Sequence, residues 1–310
     1  MAELRHLTSI DDLSPRETHG LLRLAQRLRT EHRQGIVRRP LTGRTLAMIF
    51  EKPSLRTRVS FEVGMTQLGG HAVYLAPSDI QMGKREAAVD VARNLSRWVD
   101  GIMARTFAHA TVTCLAEHAT VPVINALSDH EHPCQALAFG EMALEQRGSL
   151  DGARLTFVGD GNNVAHSLIL LAAKTGMSFV LACPEGYEAD ETVVRRAREL
   201  GGAVTISHDP IAAVADADFI YTDVWASMGQ EAEAEERRRR FTGFQVNGEL
   251  LAHAPPHALV THCLPAHRGE EITDEVLDGP RCMAYEEAEN RLHAQKAVLL
   301  FLLAHERVAD

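Results

Sequence analysis

Apolar and polar positions along this 310-residue chain change period repeatedly. Short unbroken apolar runs of strand length give way to stretches in which apolar residues recur every three or four positions. In the first half the runs fall at 46–50, 72–76, 101–106 and 121–126, with helical patterns between them at 59–68, 87–99 and 109–118. Ser14-Pro15-Arg16-Glu17 combines a capping box with proline at the first helical position, and predicts a helix from there to about Gln34. Another opens near Pro133 and runs to about Arg147. Gly148 to Gly152 supplies turn residues, and a second alternating series follows, with strands at 155–159, 179–183, 203–207, 219–222 and 259–263. Its helices fall at 164–175, 192–200, 211–215 and 231–241. A last helical pattern, 290–305, carries Leu292, Ala297, Leu299, Leu300 and Leu303 and is apolar enough to pack on other helices. This alternation predicts an α/β fold of two doubly wound parallel-sheet domains, 1–147 and 148–310, the final helix packing back on the first. Ligands are expected at the carboxyl ends of the strands, in a cleft between the domains.

Composition excludes several classes. With 45% hydrophobic and 24% charged residues the chain has apolar material for two cores and is neither disordered nor a membrane bundle. No apolar run reaches spanning length, and the polar start Met1-Ala-Glu-Leu-Arg-His6 lacks the apolar stretch of a secretory signal. No membrane association is therefore expected, and the cytoplasm is the default compartment. Cys114, Cys134, Cys183, Cys263 and Cys282 are scattered and odd in number, which argues against a disulfide framework. A formal net charge of −10 argues against nucleic acid as a partner, while leaving room for a small basic pocket. In the run from Glu231 to Arg240, Glu233, Glu235 and Glu236 each stand four residues before an arginine, which reads as a solvated helix face.

Glu51-Lys-Pro-Ser-Leu-Arg-Thr-Arg-Val-Ser-Phe-Glu62 puts two arginines and three hydroxyls where an apolar strand turns into a helix. A helix start offers N–H groups without intrahelical acceptors and a partial positive charge, so arginines there oppose the helix unless an anion joins them. Arg56 and Arg58 supply planar forks suited to phosphate or carboxylate. Gly159-Asp-Gly-Asn-Asn163 also follows a strand and opens a helix, but the third glycine of a dinucleotide turn falls on Val164. That turn is better read as aiming Asn162 and Asn163 at a ligand, one of them capping the helix. His130-Glu-His-Pro-Cys-Gln135 gathers imidazole, thiol and amide groups without a second Cys/His pair at zinc spacing. His132 there is either a helix-entry residue or a substrate hydrogen-bond partner. Asp223 ends a strand and can hold an ammonium group, with Ser227 in the loop beyond. Cys263, in His262-Cys-Leu-Pro265, is open between core residue, metal ligand and polarised thiol. Arg291 begins the last helix and is open between a surface residue, the commoner place for a lone arginine at a helix start, and an anion ligand.

Taken together these pieces resemble the ornithine carbamoyltransferases, in order and over nearly the whole chain. The resemblance rests on Ser54-Leu-Arg-Thr-Arg58, Gln81 in Asp79-Ile-Gln-Met-Gly83, Arg105 in Met103-Ala-Arg-Thr-Phe107, and His132-Pro-Cys-Gln135. It continues through Gly159-Asp-Gly-Asn-Asn163, Asp223-Val-Trp-Ala-Ser-Met-Gly229, His262-Cys-Leu-Pro-Ala-His-Arg268 and Glu289-Asn-Arg291. It implies transfer of the carbamoyl group of carbamoyl phosphate to the δ-amine of L-ornithine, giving L-citrulline and phosphate, in arginine biosynthesis or degradation. It also implies no metal and no organic cofactor. The first domain would bind carbamoyl phosphate through Ser54, Leu55, Arg56, Thr57, Gln81, Arg105, His132, Pro133, Cys134, Gln135 and Arg291, with Cys263 and Leu264 contributing from the second. The second domain would bind ornithine through Asn163, Asp223, Ser227 and Met228. Catalysis would fall to Arg105, His132, Cys263 and Asp223. The family's homotrimers, or multiples of trimers, would bring the segment around Gln81 to a neighbour's site. Many members carry threonine where this chain has Leu55, which removes one side-chain hydrogen bond from the phosphate turn. The Ser-Met-Gly loop favours ornithine over aspartate, and Asp223 favours a free α-ammonium over N-acylated ornithine.

Overall fold

The computed structural model describes residues 4–226 and 233–308. The chain divides into two units, Met1–Glu141 with Glu289–Asp310, and Met142–Ala288. Unit 1 contains a four-stranded parallel sheet in the order β2-β1-β3-β4, formed by β1 (Thr45–Phe50), β2 (His71–Leu75), β3 (Gly101–Arg105) and β4 (Val123–Leu127). Its helices begin with α1 (Pro15–Arg33), α2 (Leu55–Gln67), α3 (Pro77–Ile80), α4 (Ala88–Leu95) and α5 (His109–His118), followed by α6 (Pro133–Arg147), whose residues from Met142 onward belong to unit 2. Unit 2 contains a five-stranded parallel sheet in the order β7-β6-β5-β8-β9, formed by β5 (Arg154–Val158), β6 (Ser178–Ala182), β7 (Ala203–Ser207), β8 (Phe219–Thr222) and β9 (Leu259–His262). With it come α7 (Asn163–Thr175), α8 (Glu191–Glu199), α9 (Pro210–Val214), α10 (Ala234–Arg240), α11 (Gly248–Ala252) and α12 (Asp274–Leu277). The last helix, α13 (Ala284–Leu303), contributes its residues from Glu289 onward to unit 1.

The central strands are largely apolar because both faces of each sheet are covered. In unit 1, Ile49, Ile102 and Ala104 join Val91 and Ala92 of α4 and Val112 and Leu115 of α5 in one core. Their alternates Met48, Phe50 and Met103 are equally buried. In unit 2, Val158, Val180 and Ile220 pack with Phe241, Phe244 and Val246, while Phe157 stacks on Tyr221 at 5.6 Å. Each such large side chain removed from water contributes about 1.5–3 kcal/mol. The edge strands β2 and β7 alternate exposed and covered positions instead. No helix among the described residues is long and apolar enough to cross a membrane.

Several buried groups in unit 1 are polar, and among them Glu141 is a carboxylic acid. Glu141 of α6 is fully buried, and neither carboxyl oxygen finds a hydrogen-bond partner among the described residues. Its nearest charges are Arg29 of α1 and Glu289 of α13, which pair with each other at 2.9 Å.

The expected strands all form, within a residue or two of their predicted ends. The helices differ more. α2 starts at Leu55 rather than 59, and α13 starts at Ala284 rather than 290, because their first turns carry polar groups that conceal the apolar period. The short α3, α11 and α12 lie below the length at which a period of 3.6 is visible.

Candidate active site

In each sheet the strand order reverses once, between β1 and β3 and between β5 and β8, and open α/β sheets bind ligands beyond the carboxyl ends at such points. The chemically marked residues gather at both. In unit 1, Ser54 caps α2, its Oγ accepting the N–H of Thr57 at 3.3 Å. Thr57 is fully buried and its Oγ1 accepts from Arg105 Nη1 at 3.4 Å and from Arg291 Nη2 at 3.1 Å. Arg291 Nη1 donates to Gln135 Oε1 at 2.5 Å. Arg105 ends β3 immediately after a register shift, Ala104 pairing with Asn125 but Arg105 with Leu127, and such a bulge re-aims a side chain. His132 sits beside this array, 4% exposed. Burial and then the charges of Arg291, Arg105, Arg56 and Lys52 hold its imidazole well below the ordinary histidine range, so it is neutral at pH 7. A neutral ring with guanidinium groups at the mouth of a helix is suited to an anion whose carbonyl needs polarising.

In unit 2, Asn162 caps α7 through its Oδ1, which accepts the N–H groups of Val164 and Ala165, and its Nδ2 donates to Asp223 Oδ2 at 2.9 Å. The other oxygen of Asp223 accepts from Cys263 Sγ at 2.8 Å and from the N–H of Val224 at 2.8 Å. Asn163, expected to bind substrate, occupies the first position of α7 and is half-buried. Behind Cys263, His262 Nδ1 accepts the N–H of Leu264 at 2.8 Å, which leaves Nε2 to donate to the fully buried Glu271 at 3.0 Å. Asp223, His262 and Cys263 offer a carboxylate, an imidazole and a thiol within 4.8 Å of one another, a possible metal set by donor type. Both nitrogens of His262 are committed to hydrogen bonds, however, so a metal at this set would have to displace one of them.

The dinucleotide reading of Gly159–Gly161 fails on geometry as well as on spacing. The N–H of Gly161 donates to Tyr187 O at 2.9 Å, and a side chain at Gly161 would meet the backbone N of Ala189 at 2.2 Å. The glycine admits a passing chain of this protein, not a phosphate.

Comparison with known proteins matches a separate family domain to each part of the chain. Residues 5–139 match the carbamoyl-P binding domain of aspartate/ornithine carbamoyltransferases, and residues 151–302 match the Asp/Orn binding domain. The chain belongs to the ornithine carbamoyltransferase family. An ornithine carbamoyltransferase of Pyrococcus abyssi is 55% identical over 303 residues, covering 96% of each chain. One of Pyrococcus furiosus, described as anabolic, is 54% identical with the same coverage. The solved structure of ornithine carbamoyltransferase from Pyrococcus furiosus superposes with a TM-score of 0.94 at 53% identity, covering 98% of both chains, and that from Thermus thermophilus with 0.88 at 48%, covering 96% and 98%.

Within this carbamoyltransferase frame several expected residues stand apart from the arrays. Arg58 does not share the mouth of α2 with Arg56. Its guanidinium lies 3.9 Å from the ring centroid of Tyr74 and pairs with Glu62 at 3.4 Å on the outer face of the helix. Leu55, 74% exposed, lies along the same outer groove, so the missing threonine hydroxyl falls outside the buried array and only the Leu55 N–H remains available there. Cys134 is a core thiol donating to Asn125 O at 3.6 Å, and burial pushes it up to about 12. Pro133 is the first residue of α6. Gln81 is exposed after α3, lining a recess of about 490 Å³ with Glu51, Lys84 and Phe107. Ser227 and Met228 lie outside the described residues.

Two supporting groups were missed in the sequence. Arg237, read as part of a solvated face, is buried, and its Nη1 donates to Asp160 Oδ2 at 2.8 Å and to Trp225 O at 2.9 Å. It still pairs with Glu233 four residues earlier, as expected, at 3.1 Å. Glu271 looked like one more surface acid. Nothing in local sequence separates such residues from their exposed neighbours: the partner Asp160 of Arg237 is 77 residues away, and the partner His262 of Glu271 lies nine residues back, at the end of β9.

Proposed function

We propose that the protein transfers the carbamoyl group of carbamoyl phosphate to the δ-nitrogen of L-ornithine, releasing L-citrulline and phosphate. The observation that carries this reading is the buried array of Thr57, Arg105, Arg291 and Gln135 beside a neutral His132 at the start of α2. Ser54, Arg56, Thr57 and the free N–H of Leu55 take the phosphate, and the backbone around Pro133 and Leu264 with Gln135 orients the carbamoyl amide. His132 and Arg105 donate to the carbonyl oxygen as the amine lone pair attacks carbon and negative charge develops on oxygen. The C–O bond to phosphate then breaks, and the leaving phosphate keeps the electron pair. Asp223 and Asn163, with Ser227 and Met228, hold the α-amino acid end of ornithine, and the proton of the δ-nitrogen passes to Cys263 sulfur as the thiol proton moves along its hydrogen bond to Asp223. Holding two small reactants in register can supply roughly 7–11 kcal/mol of the barrier.

The assembly belonging to this reading is a homotrimer or a multiple of trimers, with Gln81 serving a neighbouring copy. Two features support it. Leu55, Val59 and Val63 of α2 are exposed together around a groove of about 720 Å³ beside Arg58 and Tyr74, and exposed apolar patches mark protein contacts. Gln81 also has an exposed position outside the Thr57 array. The anabolic direction in arginine biosynthesis is favoured by the description of the Pyrococcus furiosus relative, and a cytoplasmic setting by five free cysteines. A turnover assay with carbamoyl phosphate and, side by side, ornithine, N-acetylornithine, putrescine and aspartate tests the reading. Citrulline from ornithine is expected, and its absence with folded protein overturns the assignment.

A further inference from the structure

Tyr221 and Thr261 are register partners on the adjacent strands β8 and β9, and both are buried. Each donates its hydroxyl at 2.6 Å to one oxygen of Glu287, Tyr221 to Oε1 and Thr261 to Oε2. Glu287 is itself fully buried in the first turn of α13, the end of a helix that favours negative charge. The chain just before that turn is tied to β9: the N–H of Val260 donates to Arg281 O at 2.8 Å, and the N–H of Met283 to Val260 O at 2.7 Å. One carboxylate therefore spans both strands at a single rung of the sheet.

That rung is the last but one before both strands end. Two residues beyond Tyr221 comes Asp223, and two beyond Thr261 comes Cys263, the pair in contact at 2.8 Å. Burial and then Glu287 hold the Tyr221 hydroxyl well above the ordinary tyrosine range, so it remains a donor, and Cys263 and Asp223 act on it in the same direction. Exchanging buried charged groups for apolar ones of similar volume is often neutral for stability, so stability alone is a poor reason for an acid here. What the acid supplies is geometry, two short charge-assisted bonds of fixed direction across the strand pair.

We propose that Glu287 is a positioning residue for the amine substrate: by clamping β8 to β9 it sets the Asp223–Cys263 contact that holds and deprotonates that substrate. This rests on the proposed function in one respect, the identity of the amine as ornithine. Glu287 acts through Tyr221 and Thr261 and does not touch the reacting atoms. Its effect is confined to the ornithine half of the reaction, because the Thr57, Arg105, Arg291 and Gln135 array is built on other elements.

The experiment is steady-state kinetics in both substrates on the full-length protein and its Glu287→Met and Glu287→Gln variants, with isothermal titration of inorganic phosphate alongside. Glu287→Met removes both acceptors at similar volume. It is expected to raise KM for ornithine by roughly 10- to 100-fold, the effect of displacing a positioned group by about 1 Å, with phosphate affinity and KM for carbamoyl phosphate within about twofold. Glu287→Gln keeps an oxygen for one hydroxyl and an N–H for the other, and is expected to bring KM for ornithine within about threefold of wild type. Equal losses for both substrates overturn the proposal. So do unchanged kinetics in a folded Glu287→Met protein, or a Glu287→Gln variant as impaired as Glu287→Met. Should Glu287→Met not fold, Tyr221→Phe decides, since it removes one of the two bonds. A rise of about threefold or more in KM for ornithine alone supports the clamp, and an unchanged KM overturns it. Wild-type protein that binds phosphate but makes no citrulline counts instead against the proposed function, and the clamp is then read from alkylation of Cys263 by iodoacetamide, followed by peptide mass spectrometry. Tyr221→Phe should speed it by about threefold or more, because a thiol released from a carboxylate ionises more readily, and an unchanged rate overturns the clamp.

Discussion

Replacing Glu141 by glutamine should stabilise unit 1 by an amount that grows with pH. Burial, moderated by Arg29 and reinforced by Glu289, holds this carboxyl well above the usual carboxylate range. In the unfolded chain it ionises near pH 4.3. Between those two values the folded state binds a proton that the unfolded state has lost, so stability falls as pH rises, by about 1.4 kcal/mol per pH unit, until the folded group itself ionises. Below about pH 4 both states are protonated and the penalty disappears. Glutamine has nearly the same shape and does not titrate, so the wild-type and Glu141→Gln stabilities should coincide at pH 4 and diverge by about 1.4 kcal/mol per unit above it. At about 2–4 °C per kcal/mol for a unit of this size, the gap in Tm widens by about 3–6 °C per pH unit. Glu141→Met should add to the gain, because both oxygens of Glu141 lack partners and an unmet buried polar group costs about 1–3 kcal/mol. Differential scanning calorimetry from pH 4 to pH 8 reads this directly. A Glu141→Gln offset that stays constant with pH would refute the reasoning, since a constant offset means the carboxyl does not titrate differently in the two states.

Thr57→Val keeps the volume of a fully buried residue but removes the acceptor shared by Arg105 and Arg291. It should lower kcat/KM for carbamoyl phosphate by roughly 10²-fold with little change in KM for ornithine, and steady-state kinetics showing an equal loss for both substrates would contradict the placement of Thr57. Arg237→Met should raise KM for ornithine at least 10-fold by freeing the Asp160 turn from the Trp225 backbone, whereas Arg238→Ala, whose partner Glu270 is at the surface, should stay within about twofold of wild type.

The sheets were legible because strands covered on both faces must be largely apolar, and β1, β3, β5 and β8 are, apart from positions such as Thr156 and the strand ends. The polar motifs at their carboxyl ends were legible for the converse reason, since residues such as Arg105, Asp223 and Cys263 interrupt an apolar run where its strand ends. Direction was not. Arg56 and Arg58 look equivalent in the chain, yet a helix turns by 100° per residue and sends Arg58 to Tyr74. Leu55 looked like a weakened phosphate ligand for the same reason. The buried acids Glu141, Glu271 and Glu287 were invisible because local sequence treats every glutamate as surface. Tyr221 and Thr261 donate to Glu287 at 2.6 Å each, from strands 66 and 26 residues away in the chain, respectively.

The one-residue slip between Ala104 and Arg105 makes β3 intolerant of changes in its length. Side chains along a strand alternate between faces, so deleting one residue before Arg105 would let the remaining strand pair regularly with β4 and still bury its apolar face. Such a deletion would turn the guanidinium away from Thr57 and place an arginine among Val91, Val112 and Leu115. Apolar exchanges at the fully buried Ile102 or Met103 should be graded in effect, whereas a single-residue indel should be all or none, because the chemistry of the site depends on counting.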